Sequence, residues 1–168
     1  GAITPFIRPK KYSGKYSTTE KTLKHFQKKN KKIINKKFKF CVFLTCTDIF
    51  REKKWIKNGI DIIKKNRKID SVFVGYKTHK NFWEKNTNTK NSKWKRLKNF
   101  MKNYSSRQNR KFVVREDTGL FCVSRADLWR NGKRIGDNVE IILNQNSESS
   151  IDIHDFKDLS IANQTIKI

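Results

Sequence analysis

The hydrophobic pattern changes period several times along the chain, and each change marks an element. Leu23, Phe26, Asn30 and Ile33 recur at helical intervals after Ser17-Thr18-Thr19-Glu20, which has capping-box spacing. A helix is therefore expected over 18–34, with its lysines in water. Ahead of it, Pro9 biases Arg8 away from helix and gives residues 5–12 an extended reading. Phe38 to Thr45 is nearly continuous in apolar residues (Phe40, Cys41, Val42, Phe43, Leu44), the pattern of a strand buried on both faces. Thr45 to Arg51 reads as the loop at that strand's C-terminal end. Glu52 to Asn66 turns Trp55, Ile56, Ile60 and Ile63 to one side, a second amphipathic helix, and Asp70 to Tyr76 is another apolar strand. Strand, helix and strand in about 40 residues make a βαβ unit. The expectation from the pattern is an α/β fold whose sheet is at least partly parallel.

Regularity lapses over 77–111, an Asn- and Lys-rich insertion of the kind that is often functional. It returns at 113–123, a strand interrupted by Arg115, Glu116, Asp117 and Gly119. A short helix over 125–131, turns at Gly132 and Gly136, and a strand over 139–143 follow. Ser149 to Ile153 reads as a short strand, and the last helix keeps Phe156, Leu159 and Ala162 as a core face. No internal repeat is present, and 168 residues suit one domain spanning 1–168.

Charge changes this picture more than composition does. The chain carries a formal +25, yet residues 135–168 hold six acids against Lys157 and Lys167, a net of −4 that leaves +29 on the first 134 residues. Lysine outnumbers arginine and travels with Asn and Ile, so a solvated basic surface is expected rather than a dedicated nucleic-acid patch. Such a field would equally suit an anionic sugar or nucleotide. No apolar run reaches membrane-spanning length and no leader pattern opens the chain. Cys41, Cys46 and Cys122 lack metal spacing and read as buried thiols of a cytoplasmic protein. Cys46 has no local His to make it a nucleophile.

The C-terminal stretch carries the candidate chemistry. At a strand period of two, Asp152 and His154 share a face, and Asp155 is placed to cap the following helix. A carboxylate at a strand end beside a helix start is where open α/β sheets put ligands. On local sequence alone the structural roles are favoured over a ligand role, with Asp152 ending a strand and Asp155 capping a helix. Lys77, His79 and Lys80 leave a strand end on the insertion, where anion contacts are well placed. Arg51 is as readily a loop clamp as a substrate contact.

Four blocks, in order, resemble the acylneuraminate cytidylyltransferases, the CMP-sialic acid synthetase family. They are Phe6-Ile7-Arg8-Pro9 with His25, Leu44 to Arg51, Arg115-Glu116-Asp117-Thr118-Gly119, and Ser150-Ile151-Asp152-Ile153 with Asp158-Leu159. The departures are Thr45 for the family's Gln, Cys46 and Ile49 for its prolines, Lys15 for an Asp, and His154 for the second metal-site carboxylate. The resemblance implies a nucleotide-diphospho-sugar transferase-like, Rossmann-like fold with a mixed, mostly parallel sheet flanked by helices. It implies transfer of CMP from CTP to a nine- or eight-carbon sugar acid with Mg²⁺, for which Asp152 would be the ligand and His154 and Asp155 weaker candidates. It also implies a homodimer built through 77–150. Arg107, Gln108, Arg115, Asp117, Thr118, Gly119, Lys77, His79 and Lys80 would face the sugar, and Thr45, Thr47 and Arg51 the nucleotide loop. The family's N-terminal strand and its glycine- and arginine-rich loop would precede residue 1. The chain is thus expected to hold the C-terminal two-thirds of the fold and to be inactive alone. The rival class is a non-catalytic basic module that binds nucleic acid or another polyanion.

Overall fold

The computed structural model describes residues 3–34, 38–85 and 93–166. In chain order the elements are α1 (Thr19–Ile34), β1 (Phe40–Phe43), α2 (Lys53–Lys65), β2 (Ser71–Thr78), β3 (Trp83–Lys85), β4 (Trp94–Arg96), β5 (Val113–Glu116), β6 (Cys122–Arg125), α3 (Ala126–Arg130), β7 (Val139–Asn144) and α4 (Phe156–Ile166). Of the 77–111 insertion, residues 86–92 lie outside the described residues; the rest supplies β3, β4 and a 3-10 turn at Asn99–Lys102.

The sheet is α/β but not mostly parallel, which corrects the Rossmann-like expectation. β2 is its centre. One edge of β2 pairs antiparallel with β6 along Ser71–Phe73 and with β5 along Gly75–Thr78, and its other edge pairs parallel with β7. β1 joins the far side of β6, again antiparallel. β3 and β4 form a separate antiparallel pair. The physical reason lies in what an apolar run encodes. β1 and β2 do point the same way, as a strand–helix–strand crossover requires, but the oppositely directed β6 is inserted between them. An apolar run reports burial, and it carries no information about which strand lies alongside.

Alternate residues divide the core between the two faces of the sheet. Val72, Val74 and Val123 point to the α2 side, where they pack with Trp55, Ile63, Leu120 and Phe121. Cys41 points to the other side and meets Ala126 and Trp129 of α3, with Leu23 of α1 and Phe43 alongside. On that face the polar Ser71 and Ser124 hydrogen-bond each other at 3.0 Å, and Ser71 Oγ accepts from the Gly136 amide at 3.1 Å, so both buried hydroxyls are satisfied.

Other expectations need correcting in detail. β1 is an edge strand, so Val42 remains 37% exposed rather than buried on both faces. Thr18, not Ser17, caps α1, accepting from the Lys21 amide at 3.3 Å, while Glu20 turns toward Arg134. Residues 10–12 of the entry form a 3-10 turn. Ser149–Ile153 is not a strand: Ser147–Ser150 is a 3-10 turn, and 151–153 is unladdered chain. In α4 only Ala162 is buried, with Phe156 89% and Leu159 40% exposed, because the inward column is Asp158, Ala162 and Thr165. Among the described residues no helix is long and apolar enough to cross a membrane.

Gly59 is where α2 touches the sheet most closely. A Cβ there would overlap the Phe121 ring, reaching to 2.5 Å from its Cζ, and that ring is fully buried. Gly→Ala inside a helix usually stabilises by about 1 kcal/mol. Here overpacking against an immobile ring, worth roughly 1–3 kcal/mol, opposes it. Gly59→Ala is therefore expected to lower the urea midpoint at unchanged m-value; a raised midpoint would show that the contact is loose.

Candidate functional site

The site is built on a break in strand pairing. Val74 donates its amide to Phe121 O at 3.1 Å and accepts from the Asp117 amide at 3.0 Å. The chain between those partners is looped out and closed by the Leu120 amide on Asp117 O at 3.1 Å. β5 and β6 are thus one antiparallel course along β2, interrupted by an extruded turn, a strand bulge of the kind that re-aims side chains.

The turn's carbonyls need partners, and the Thr45–Arg51 loop supplies them. Thr45 N–H donates to Gly119 O at 2.9 Å. Arg51 Nε donates to Leu120 O at 2.6 Å, and its Nη2 donates to Thr45 O at 2.6 Å and Gly119 O at 3.0 Å. One guanidinium therefore ties loop and turn together, and Arg51 acts as the loop clamp. Thr47 O accepts from the Ile153 amide at 3.2 Å, which tethers the stretch carrying Asp152 to the same loop.

Between these three segments lies a cavity of about 280 Å³, lined by Asp48, Arg115, Asp117, Gly119, Ser149, Ser150 and Asp152 among others. Asp117 spends both carboxylate oxygens on Arg115, at 2.6 and 3.0 Å, in a bidentate pair that raises the pKa of the guanidinium still further. Asp152 Oδ2 faces the exposed His154 Nε2 at 3.1 Å, while its Oδ1 is buried with no hydrogen-bond partner. Asp48 hydrogen-bonds Thr45 Oγ1. Burial raises the Asp48 pKa above the ordinary 3.8, and the charges of Asp152 and Asp117 raise it too, against the pull of Thr45 and Arg51. A Cβ on Gly119 would overlap Asp48 Oδ2 and come within 2.7 Å of Thr45 Oγ1. The missing side chain makes room for Asp48 rather than for a substrate's approach to the backbone.

A larger open groove of about 1050 Å³ adjoins it, with Arg115 and Ser150 in both walls. Lys77, His79, Lys80 and Arg107, all expected to meet an anion, line this groove, joined by Lys98 and Arg110, which the sequence did not single out. His79 Nδ1 lies 3.1 Å from Arg110 O, so the insertion is pinned back onto the end of β2.

The structure thus gathers Asp117, Thr118, Gly119 and Asp152 in the small cavity and Lys77, His79, Lys80 and Arg107 in the groove, with Arg115 between. Gln108 is exposed and lines neither. Thr45, Thr47 and Arg51 support the cavity from behind. Asp155 is a helix cap, its Oδ1 accepting from the Lys157 and Asp158 amides at 2.8 and 2.9 Å. Asp48 is the residue that sequence reasoning missed; its one signal is that it is the only acid between Thr45 and Arg51. Burial pushes the thiols of Cys41 and Cys122 up to about 11, and Cys46 is exposed. No group of three or more His, Cys, Asp or Glu side chains converges as a metal site among the described residues. No family model and no curated protein matches the sequence.

The two loop residues give separable expectations. Arg51→Lys cannot reach all three carbonyls and should cost about 2 kcal/mol in chemical denaturation, the scale of lost charge-assisted hydrogen bonds. A loss below about 0.5 kcal/mol would remove its role as a clamp. For Asp48 the raised pKa means that the neutral acid stabilises the fold. That contribution is complete below the ordinary pKa of 3.8 and is lost as pH rises through the higher folded value. Thermal melts should therefore show wild type losing ground to Asp48→Asn as pH rises from about 4 toward neutrality; the opposite trend would contradict the assignment.

Proposed function

We propose that this chain carries a nucleotidyl-transfer site of the acylneuraminate cytidylyltransferase type. In that reaction CMP passes from CTP to a sialic-acid-like sugar acid, with Mg²⁺, and pyrophosphate leaves. The supporting observation is the junction of an acidic cavity with a basic groove across Arg115 and Ser150. A sugar acid and a nucleotide are both anions, and their reacting oxygens must meet beside a cation.

The acidic cavity's donor set fits such an ion. Mg²⁺ takes hard oxygen ligands, keeps several waters and is held by one or two carboxylates. Asp152 Oδ1 is buried without a partner, and Asp48 is penalised for ionising by its burial and then by the charges of Asp152 and Asp117, a penalty that a bound cation would relieve. These two would hold the ion. Asp155 is committed to its helix, and His154 serves as the partner of Asp152 Oδ2. When bound, Mg²⁺ neutralises charge on phosphoryl oxygens.

The chain's own cations do the remaining work. Asp117 locks the Arg115 guanidinium, and Tyr76 lies beneath it with its ring centroid 5.3 Å away, so this fork is oriented before any ligand arrives. Arg107, Lys77 and Lys80 can meet the sugar carboxylate and hydroxyls along the groove.

Calorimetry with Mg²⁺ and sialic, legionaminic, pseudaminic and Kdo-type acids tests this reading. Mg²⁺-dependent binding of at least one acid is expected, weakened about tenfold or more in Asp152→Asn and in Arg107→Ala. Pyrophosphate release that needs CTP, sugar acid and Mg²⁺ and disappears in Asp152→Asn would establish turnover. Binding of none of these acids, with or without Mg²⁺, would end the proposal.

A further inference from the structure

Lysine outnumbers arginine by 30 to 10 in this chain, yet four of the ten arginines, Arg96, Arg107, Arg110 and Arg115, fall within twenty residues. Three of the four lie over aromatic rings. The Arg96 guanidinium sits 4.2 Å from the Trp83 ring and 5.6 Å from the Tyr104 ring, Arg110 sits 5.6 Å from the same Tyr104 ring, and Arg115 lies over Tyr76. Arg96 also donates to Tyr104 Oη at 2.9 Å. Past Arg110 the alternation continues through His79, edge-on to Phe112 at 6.2 Å, to Lys77, 4.4 Å from the Phe112 ring. The rings remain available: Trp83 is 47%, Trp94 64%, Tyr104 70% and Phe112 42% exposed. Strand alternation puts Trp83, Lys85, Trp94 and Arg96 on one face of the β3–β4 pair, with Glu84 and Lys95 paired on the other at 3.1 Å.

We propose that this alternating column of rings and cations, running from the β3–β4 pair into the basic groove, is a binding track for single-stranded nucleic acid. Unpaired bases stack on exposed aromatic faces without regard to sequence, and the interleaved arginines and lysines meet the phosphates. Holding each cation against a ring removes much of its rotamer freedom before binding, so little ordering is left to oppose association. A duplex hides its base faces and cannot use the rings. A polyanion without bases would leave four exposed aromatics idle. An anionic bilayer favours an apolar face opposed to a cationic one, whereas here the two kinds of side chain alternate along one line. The lysine surplus of the whole chain pointed to a solvated surface; the local arginine and aromatic pairing is what singles out this face. The track does not rest on the sugar-acid reading, since Trp83, Trp94, Arg96 and Tyr104 line neither cavity.

The test is fluorescence anisotropy of labelled oligo(U) and oligo(dT) of roughly 12 nucleotides, with tryptophan emission read in parallel. Competitors are a duplex of the same length, polyphosphate, and phosphatidylserine-containing vesicles. Single strands are expected to quench tryptophan and to bind at least about tenfold more tightly than duplex or polyphosphate. Trp94→Ala and Tyr104→Ala should each weaken binding roughly five- to hundredfold at unchanged salt slope, while Tyr104→Phe stays near wild type. Arg110→Gln should reduce the slope of log K against log salt by about 0.7. Equal or tighter binding of duplex, polyphosphate or vesicles would overturn the proposal. So would unchanged affinity in both alanine variants.

Discussion

Everything in the candidate site hangs on the two hydrogen bonds of Val74. Because its amide and carbonyl engage Phe121 and Asp117, residues between them must leave the sheet. Once extruded, the turn presents Gly119 O and Leu120 O away from any strand, and buried carbonyls without partners are costly. Arg51 and Thr45 meet that requirement, and by doing so they bring the loop after β1 against the turn. Asp48 arrives with the loop, and Thr47 then holds the stretch that bears Asp152. Backbone satisfaction, not carboxylate attraction, assembles this cluster. That is why like charges can be held beside one another.

The charge layout follows the same logic. In a chain of net +25, one small cavity collects Asp48, Asp117 and Asp152, and the groove beside it collects lysines and arginines. Only Asp117 is neutralised in full, by the bidentate Arg115. Asp152 keeps a buried oxygen without a partner, and burial beside other acids raises the pKa of Asp48, a local sacrifice of stability of the sort that proteins retain where function needs it. The Arg115–Asp117 pair stands at the boundary between the two fields.

The sequence made the elements with a strong period easy to read. α1, α2 and β2 lie within two residues of their expected ends because amphipathic spacing carried over a whole helix, and an apolar run bounded by polar residues, are strong signals of extent. Pairing was not legible, since β6 slots between β1 and β2 through contacts far apart in sequence. Phe156, Leu159 and Ala162 looked like a core face because three-residue spacing drifts around a helix, and the true inward column is set by Ala162 with residues four before and three after it. At the site, Lys77, His79, Lys80 and Arg107 line one groove. Asp48 stayed hidden because its importance comes from the turn that meets it, 70 or so positions away in the chain. Gly119 was expected to face a sugar, but the group that crowds it is a carboxylate of the protein itself.

The insertion of β6 between β1 and β2 also bears on how the chain is made. During synthesis β1 emerges with no neighbour, and its pairing partners, from Cys122 to Arg125, leave the ribosome only after α2, β2 and the whole Lys-rich insertion. Until then Phe40, Val42 and Leu44 travel as an open apolar edge, a template for wrong pairings. The dense lysines on either side of that run act as gatekeepers, keeping nascent chains apart by repulsion. The basic composition that surrounds the fold thus protects the interval in which the fold does not yet exist.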